Sequence, residues 1–381
     1  MHIPLIKPDL PKLEDIREPI EEILGNGKIT NFGKYMQQFE AETEQYLGVP
    51  TVAVSSGTAG LIFALSALKI QPGQKVILPS FTFMATAQAI LMAGGVPVFA
   101  EIDDDLNLSV SDLERLLEQY PDTGAVIAVH MYGLPARAHE IEEAVARASK
   151  RSGRKIALIF DAAHAFGAAI ADRKVGGFGD AEVFSLSVTK SLVTVEGGLV
   201  SSRDPELLRK VRYMRNYGVV ADYNAHLPGL NGKMSEFHAI VGLHNLRRFE
   251  TLIAARQERA RCFREKVEKA TGFRPTPWPG GISHTFKDFT VFLPDGVPSG
   301  KRDSVIQSLA RRGIETRAYF YPPVHEQVFF ARFATRPLPK TEALSRRVIT
   351  LPFFSSLTSG EMDYMVSALA EVEHECEGAI Q

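Results

Sequence analysis

The chain is 381 residues long, with 45% hydrophobic and 23% charged residues and a formal net charge of −2. This length suits about two domains, and the near-neutral charge gives no electrostatic reason to expect a nucleic acid or an anionic membrane as partner. The two cysteines, Cys262 and Cys376, lack metal-like or redox-like spacing, so we expect neither a metal site nor disulfides. The start lacks a signal peptide, and no apolar run is long enough to cross a membrane, which predicts a cytoplasmic protein.

The first part of the chain alternates between short apolar strands and apolar helices. In chain order, strands are predicted at "TVAVSS", "QKVILPS" and "VPVFAEID", and helices at "GTAGLIFALSALKI" and "FMATAQAILMAGG" between them. The next helix, "SDLERLLEQY", carries Ser111 and Glu114 at the spacing of a capping box, in which each side chain caps the other residue's backbone. That spacing predicts a helix that begins just after Ser111.

Two further apolar runs follow. "GAVIAVHMYG" and "KIALIFDAA" are rich in Val, Ile and Ala, as is typical of strands buried on both faces of a sheet. Strands that alternate with helices in this way predict an α/β fold, with a mostly parallel central sheet covered by helices.

The character of the sequence changes near residue 245. A long basic helix is predicted at "LHNLRRFETLIAARQERARCFREKVEKA", followed by the Pro-rich "FRPTPWPGG" and a tail of mixed strands and helices. We therefore expect a large domain over residues 1–245 and a smaller α+β domain over residues 246–381.

Chemically useful residues stand at the ends of three predicted strands. Gly57 and Thr58 lie where the first strand passes into its helix, so their amides can point at an anion. Asp161 ends "ALIFD", and Ser185 and Lys190 lie within or just after "EVFSLSVTK". Ligands bind at the carboxyl ends of strands in open parallel sheets. The sequence therefore predicts that a phosphate cradle, a carboxylate, a hydroxyl and an amine share one cleft.

This set matches the needs of pyridoxal phosphate, which takes an amine for a Schiff base, an acid beside its pyridinium nitrogen and donors for its phosphate. The lysine would serve twice, as covalent anchor and as the base that moves a proton between Cα and C4′. Taken singly, each residue has a plainer interpretation: a helix start at Gly57, a solvated strand end at Asp161, a surface amine at Lys190. The hypothesis depends on their order and spacing.

Longer blocks of the chain make a family recognisable. They include "VSSGTAGLIFAL", "LPSFTFMATAQAILMAGGVPVFAEID", "FDAAHAFGA", "FSLSVTKSLVTVEGGLV", "GLNGKMSEFHAIVGLHNL" and "AYFYPPVHEQ", in that order. In these blocks the chain resembles the DegT/DnrJ/EryC1/StrS family of pyridoxal-phosphate-dependent sugar aminotransferases, which have the fold-type I architecture. The likeness covers nearly the whole chain.

The resemblance implies a role for each matching residue. Lys190, which lies 29 residues after Asp161, is then the Schiff-base lysine and Asp161 the partner of the pyridinium nitrogen. The other implied cofactor contacts are His164 and Phe83 at the ring, Gly57, Thr58 and Ser185 at the phosphate, and Asn231, which reaches the phosphate from the neighbouring subunit of a homodimer.

The resemblance also implies a reaction: transfer of nitrogen from an amino acid, L-glutamate by expectation, to a keto-sugar nucleotide, for a surface polysaccharide or a glycosylated metabolite. Candidate substrate contacts are Lys233, Arg317 and His325. The usual "GYNYRMSE" is "GLNGKMSE" here, with Gly232 for a tyrosine. Alternatives are inosose transamination, sugar dehydration, or a non-catalytic regulatory relative. Dehydrating relatives carry histidine in place of the lysine, so Lys190 argues against dehydration.

Overall fold

The computed structural model describes residues 1–378. The strands in this range are β1 (Thr51–Val54), β2 (Lys75–Pro79), β3 (Val96–Ala100), β4 (Ala125–Val129), β5 (Ala157–Asp161), β6 (Ala169–Ile170), β7 (Arg173–Lys174), β8 (Ala181–Ser185), β9 (Gly198–Ser201), β10 (Arg274–Pro275), β11 (Ile282–Ser283), β12 (Phe289–Phe292) and β13 (Val348–Leu351). The α-helices are α1 (Leu13–Asn26), α2 (Lys34–Leu47), α3 (Gly57–Ala67), α4 (Met84–Met92), α5 (Val110–Gln119), α6 (Ala138–Ser152), α7 (Pro205–Met214), α8 (Glu236–Arg247), α9 (Phe249–Ala270), α10 (Arg302–Arg311), α11 (Pro339–Ser345) and α12 (Ser359–Gly378).

A seven-stranded sheet forms the centre of the fold, in the order β1-β9-β8-β5-β4-β2-β3. The pairs from β8 through β3 are parallel, whereas β9 is antiparallel to both of its neighbours. The predicted α/β fold with a mostly parallel sheet is therefore confirmed. Every residue of β1, β4, β5 and β9 is buried, as expected of strands covered on both faces.

Helices cover both faces of this sheet. One apolar core contains side chains of α2, α5, α6 and α8, and a second contains those of α3, α4 and α7. Helix α3 lies very close to the sheet at Gly60, where an added Cβ would be 2.8 Å from Val183 and 3.2 Å from Val200. The missing side chain at Gly60 thus brings the first turn of α3 down onto the strands.

A separate core fills the C-terminal part of the chain. It packs α9, α10 and α12 against the three-stranded sheet β10-β12-β13, and it also takes in Ile3 from the chain start. A third small sheet, β11-β6-β7, joins residues from the two parts. We propose that two domains divide near residue 245, between α8 and α9.

Two local predictions were wrong. Helix α5 begins at Val110, with Ser109 as its N-cap, so Ser111 lies inside the first turn and no capping box forms; Glu114 instead pairs with Arg147 at 2.6 Å. The long basic helix is interrupted at Arg248, where α8 ends and α9 begins.

The interruption follows from packing on both sides of it. Asn245 donates to the carbonyls of Asp9 and Val193, while Phe249 is buried in the core, so the chain turns between them. Within residues 1–378, no helix combines the length and apolarity that a membrane span requires.

Candidate active site

Polar residues from several strands meet at one edge of the central sheet. Because β9 is antiparallel to both β1 and β8, strands β1, β8, β5, β4 and β2 all run in the same direction. Their carboxyl ends, and the loops that follow them, therefore lie side by side. A cavity of about 390 Å³ opens at this edge. Seven of the predicted cofactor contacts line it: Gly57, Thr58, Phe83, Asp161, His164, Ser185 and Lys190.

Asp161 ends β5 at the floor of the cavity and is only 6% exposed. Its Oδ2 accepts a hydrogen bond from the hydroxyl of Thr86 at 2.8 Å, and its Oδ1 accepts one from the amide of Ala163 at 3.1 Å. Burial raises the pKa of this carboxyl, and the two hydrogen bonds oppose that rise because they favour the charged form. The site therefore holds a nearly dehydrated carboxylate in a fixed orientation.

A second buried carboxylate supports the strand ends below Asp161. Glu182 on β8 and His130 after β4 are both fully buried, with His130 Nε2 3.0 Å from Glu182 Oε1. His130 Nδ1 accepts the amide of Ala136, so Nε2 carries the proton and donates to Glu182. The amides of Gly176 and Phe178 donate to the other carboxylate oxygen. This pair ties β4, β8 and the loop before β8 into one unit.

Lys190 lies in the loop between β8 and β9. The loop is closed by backbone hydrogen bonds, including those from the Lys190 amide to Ser187 and from the Leu186 amide to Gly197. Burial and, after it, the nearby ammonium of Lys287 together lower the pKa of the Lys190 amine to about 8. An amine with such a pKa is partly unprotonated at neutral pH, as a nucleophile or a proton carrier must be.

Aromatic rings close the cavity from the sides. His164 Nδ1 accepts the amide of Tyr132 at 3.2 Å, which leaves the proton on Nε2, and burial keeps the pKa of His164 well below its usual value. The ring of Phe320 stacks on His164, with centroids 6.1 Å apart, and lies 6.1 Å from the ring of Phe83. Phe83 is 52% exposed, so its face is free to cover a flat ligand.

The helix start at α3 forms the far end of the cavity. Ser56 caps α3 by accepting the amide of Ala59, so the free amides of the first turn point outward. A Cβ at Gly57 would lie 2.9 Å from the Cβ of Ser185, and one at Gly198 would lie 2.7 Å from the amide nitrogen of Gly57. These contacts require glycine, and they bring Gly57 close to Ser185.

The remaining predicted residues lie outside this lining. Asn231 is exposed and pairs through its backbone with Asn216, while Lys233 donates to the Asn216 side chain at 3.3 Å. Arg317 is exposed beside β13. His325 is buried, with Nδ1 2.6 Å from the hydroxyl of Ser80 and Nε2 3.4 Å from Glu342. It holds a C-terminal loop against the end of β2 and does not face the cavity.

Packing explains why residue 232 is glycine where the family pattern has tyrosine. A Cβ at Gly232 would lie 2.5 Å from two ring atoms of Phe63, which is itself buried in α3. The ring occupies the space that a side chain at residue 232 would need. Gly232 and Phe63 therefore form a matched pair beneath the segment that carries Asn231.

Among the cavity residues that sequence reasoning missed, four bear most on the site: Thr86, Lys287, Tyr319 and Phe320. Thr86 lies in the first turn of α4 and gave no signal of its own. Tyr319 and Phe320 fall within the recognised block "AYFYPPVHEQ", in which a role was assigned to His325 alone. Lys287 with Asp288 is a charged pair inside the otherwise apolar "TFKDFTVF", and that interruption was the available signal.

The lining fits pyridoxal phosphate in its chemistry. The amine of Lys190 and the carboxylate of Asp161 face the same cavity, and the outward amides of α3 and the Ser185 hydroxyl supply donors for a phosphate at a helix start. Phe83 and His164 provide flat faces for the ring. These are the groups that the cofactor needs.

Comparison with known proteins supports this assignment. The family model of DegT/DnrJ/EryC1/StrS aminotransferases matches residues 12–370. A UDP-N-acetyl-3-dehydro-alpha-D-glucosamine 3-aminotransferase of Acidithiobacillus ferrooxidans is 36% identical over 93% of this chain and 94% of that protein. A GDP-perosamine synthase of Caulobacter vibrioides is 32% identical over 97% of this chain and 99% of that protein. The crystal structure of DesI with its TDP-sugar product superposes with a TM-score of 0.90 at 30% identity, covering 100% of this chain and 95% of that chain. The chain belongs to the DegT/DnrJ/EryC1/StrS aminotransferase family.

Proposed function

We propose that this aminotransferase uses pyridoxal 5′-phosphate to move an amino group from an amino acid, with L-glutamate as the donor, to a keto-sugar nucleotide in amino-sugar biosynthesis. The observation that carries the proposal is that Lys190 and the hydrogen-bonded Asp161 face one cavity beside a helix start. Relatives named for UDP-, GDP- and dTDP-sugar products support a sugar nucleotide as acceptor. A cytoplasmic location is part of the same proposal, because these relatives are biosynthetic enzymes.

Each residue has a defined task in this reaction. The bound cofactor supplies an electron sink for the carbanion formed at the donor's α-carbon. Asp161, held by Thr86, keeps a proton on the ring nitrogen. Lys190 anchors the ring and, once released from it, carries a proton to and from the reacting carbon, for which a pKa of about 8 is suited. His164 stays neutral beside the ring, with its Nε2 proton available to donate.

We further propose a homodimer in which Asn231 completes the cofactor site of the partner subunit. Asn231 is exposed and lies away from the cavity of its own chain, which is the position expected of a residue that serves the other subunit. Lys233 lies two residues further along and would accompany it as a substrate contact. Arg317, exposed near Tyr319, remains a second candidate contact.

The assignment of Lys190 is tested by borohydride reduction of the cofactor-loaded protein, followed by peptide mapping. We expect the pyridoxyl group on Lys190, and finding it on another lysine would refute the assignment. Loss of the cofactor absorbance with L-glutamate, and its return with individual keto-sugar nucleotides, then identifies the acceptor. If inososes restored the absorbance and no sugar nucleotide did, the alternative transamination would be favoured.

The shared site is tested by mixing two inactive variants. Lys190→Ala destroys the site anchored by its own chain, and Asn231→Asp, which places a charge at the phosphate, damages the site of the partner subunit. A mixed dimer then has one doubly damaged site and one intact site, so mixing should restore up to about half of one dimer's activity. If Asn231 acts only within its own chain, every mixed site keeps one lesion. Demonstrated subunit exchange without recovered activity would refute the shared site.

A further inference from the structure

A second lysine lies in the wall of the cavity and forms an ion pair with the next residue of the chain. Lys287 Nζ is 2.8 Å from Oδ1 and 3.0 Å from Oδ2 of Asp288, and the two side chains are only 5% and 4% exposed. Neighbouring residues rarely bury a charge pair, because dehydration of the two ions is costly. The pair therefore calls for a functional explanation.

The backbone on either side fixes the position of the pair. The Lys287 amide donates to the carbonyl of Tyr132 at 3.0 Å, and its carbonyl accepts from Arg256 Nη2 at 3.1 Å. Arg256 is buried and donates as well to the carbonyls of Thr285, Phe286 and Phe353. Asp288 precedes β12 directly. The backbone of Lys287 is consequently held in place, and the ion pair with Asp288 holds its ammonium.

Lys190 and Lys287 line the same two cavities. One is the main cavity, and the other is a cavity of about 20 Å³ beside Pro8 and Asp9. Two largely buried amines that share a cavity interact through little water, so a positive charge on one opposes protonation of the other.

The ion pair acts on several neighbouring groups. Lys287 lowers the pKa of Lys190 and of His164, whereas Asp288 raises the pKa of Lys190, of Tyr132 and of Tyr319. Both members of the pair therefore act on Lys190, in opposite directions. The Lys287 ammonium also lies 5.5 Å from the centre of the Tyr319 ring.

Other charges facing Lys190 act in the opposite direction. Asp288, Asp161 and Glu196 each favour the protonated amine, and of the charges that act on Lys190 the effect of Lys287 is the largest. Among the described residues that line the main cavity, Lys190 and Lys287 are the lysines, and no arginine joins them. Lys287 is therefore the cation that offsets these carboxylates.

We propose that Lys287 is a positioning residue that keeps the Lys190 amine uncharged and ready to react. Asp288 holds the ammonium of Lys287 in place and limits the effect of its charge on Lys190. The proposal rests on the role of Lys190 given above. Lys287 does not touch the reacting atoms in this role; it acts through Lys190.

The test measures the protonation of Lys190 in cofactor-free protein. An amine-reactive acetylating reagent is applied from about pH 6 to about pH 10, a range that brackets normal and depressed lysine pKa values, and labelling of Lys190 is followed by peptide mass spectrometry. Lys287→Met should move the labelling midpoint up by about one pH unit, roughly a tenfold loss of unprotonated amine at neutral pH. Lys287→Arg, the matched control, keeps the charge and should leave the midpoint within about a third of that shift.

Asp288→Asn provides the opposite change. It leaves the Lys287 charge unbalanced, so the midpoint should move down. Opposite shifts in the two variants are expected from an electrostatic role, whereas a purely structural role predicts shifts in the same direction or none, and either of those results would overturn the proposal. If Lys287→Met failed to fold, as checked by thermal unfolding, the sign of the Asp288→Asn shift would decide.

This experiment is independent of the proposed reaction. It uses neither cofactor nor substrate, so a wrong acceptor or a different cofactor lysine would appear in the borohydride mapping and leave the labelling shifts intact. Conversely, if borohydride mapping found the cofactor on Lys190 but the labelling midpoints did not move in the variants, only the role of Lys287 would be refuted.

Discussion

The two walls of the cavity hold charge in different ways. On the strand-end wall, formed by the loops after β1, β2, β5 and β8, Asp161 and the underlying Glu182 accept hydrogen bonds from backbone amides and from side chains of other elements. On the C-terminal wall, Lys287 is paired with its own neighbour Asp288. The first arrangement fixes charge by many strong contacts, and the second leaves a charge whose effect on Lys190 can be tuned.

This comparison predicts that the largest loss of stability comes from disrupting the buried hydrogen bonds of the strand-end wall. Every group that faces the Glu182 carboxylate is a donor, so in Glu182→Gln the side-chain NH2 meets a donor in either orientation. We expect the free energy of unfolding to fall by about 3 kcal/mol, the cost of leaving buried donors without an acceptor. Urea denaturation of the cofactor-free protein measures it.

Glu118→Gln is the matched control, because Glu118 is largely exposed and pairs with Arg151 at 3.5 Å. Its effect should stay within about 0.5 kcal/mol. Equal denaturation midpoints for the two variants would show that the His130–Glu182 pair does not hold the wall together.

Asp161→Ala should separate chemistry from binding on the same wall. The phosphate and Lys190 contacts remain, so some cofactor is retained, but the ring nitrogen loses its proton. We expect conversion by L-glutamate to slow by about a hundredfold or more, followed in single-turnover absorbance measurements. Asp172→Ala, at an exposed turn between β6 and β7, should convert at the normal rate. Near-normal conversion in Asp161→Ala would contradict the electron-sink role.

A smaller effect is expected when Asp161 stays but loses its support. Thr86→Val removes the hydroxyl that donates to Asp161 Oδ2 at 2.8 Å and keeps the side-chain shape. The pKa of Asp161 should rise, and cofactor affinity should fall by about tenfold, in line with a hydrogen bond to a charged group. Thr86→Ser retains the donor and should bind nearly as the unchanged protein. Fluorescence titration of the cofactor-free protein distinguishes the two, and equal affinities would argue against this support.

The smallest effect concerns acid pH. The pKa of His164 is well below 6.5 in the folded chain, so below about pH 6.5 the unfolded chain binds a proton that the folded chain does not. The free energy of unfolding should therefore fall as the pH drops through that value, by about 1 kcal/mol between about pH 7 and about pH 5.5 from this residue. His164→Gln should show that much less pH dependence, and an identical slope in both proteins would mean that folding does not change the pKa of His164.

The strand-end wall could be predicted from the sequence because, in a parallel sheet, the carboxyl ends of all strands lie at the same edge. Asp161 at the end of one strand and Ser185 at the end of the next must lie at the same edge, and Lys190 follows within a short loop. The seven lining residues were predicted on that basis and by resemblance, while the role of each remains to be tested.

The C-terminal wall could not be predicted in the same way. Lys287 is placed by Tyr132 and Arg256, residues far from it in the chain, and no local pattern reports such contacts. The same limitation explains the errors in α5 and α8–α9. Glu114 forms an ion pair with Arg147 instead of capping α5, and the predicted long helix is interrupted after Asn245. In both places tertiary contacts outweigh the local capping and periodicity signals.

The contact between Phe63 and Gly232 restricts the order in which this protein could have diverged. With the Phe63 ring in its present place a side chain at residue 232 has no room, so a lineage that carried one there had to lose it, or move the ring, when phenylalanine arrived at residue 63. Reversion meets the same obstacle: a tyrosine restored at residue 232 alone would have to displace this buried ring. The history of the Asn231 segment is thus tied to a residue of α3, and grafting "GYNYRMSE" into this chain should be tolerated better when a smaller residue stands at 63.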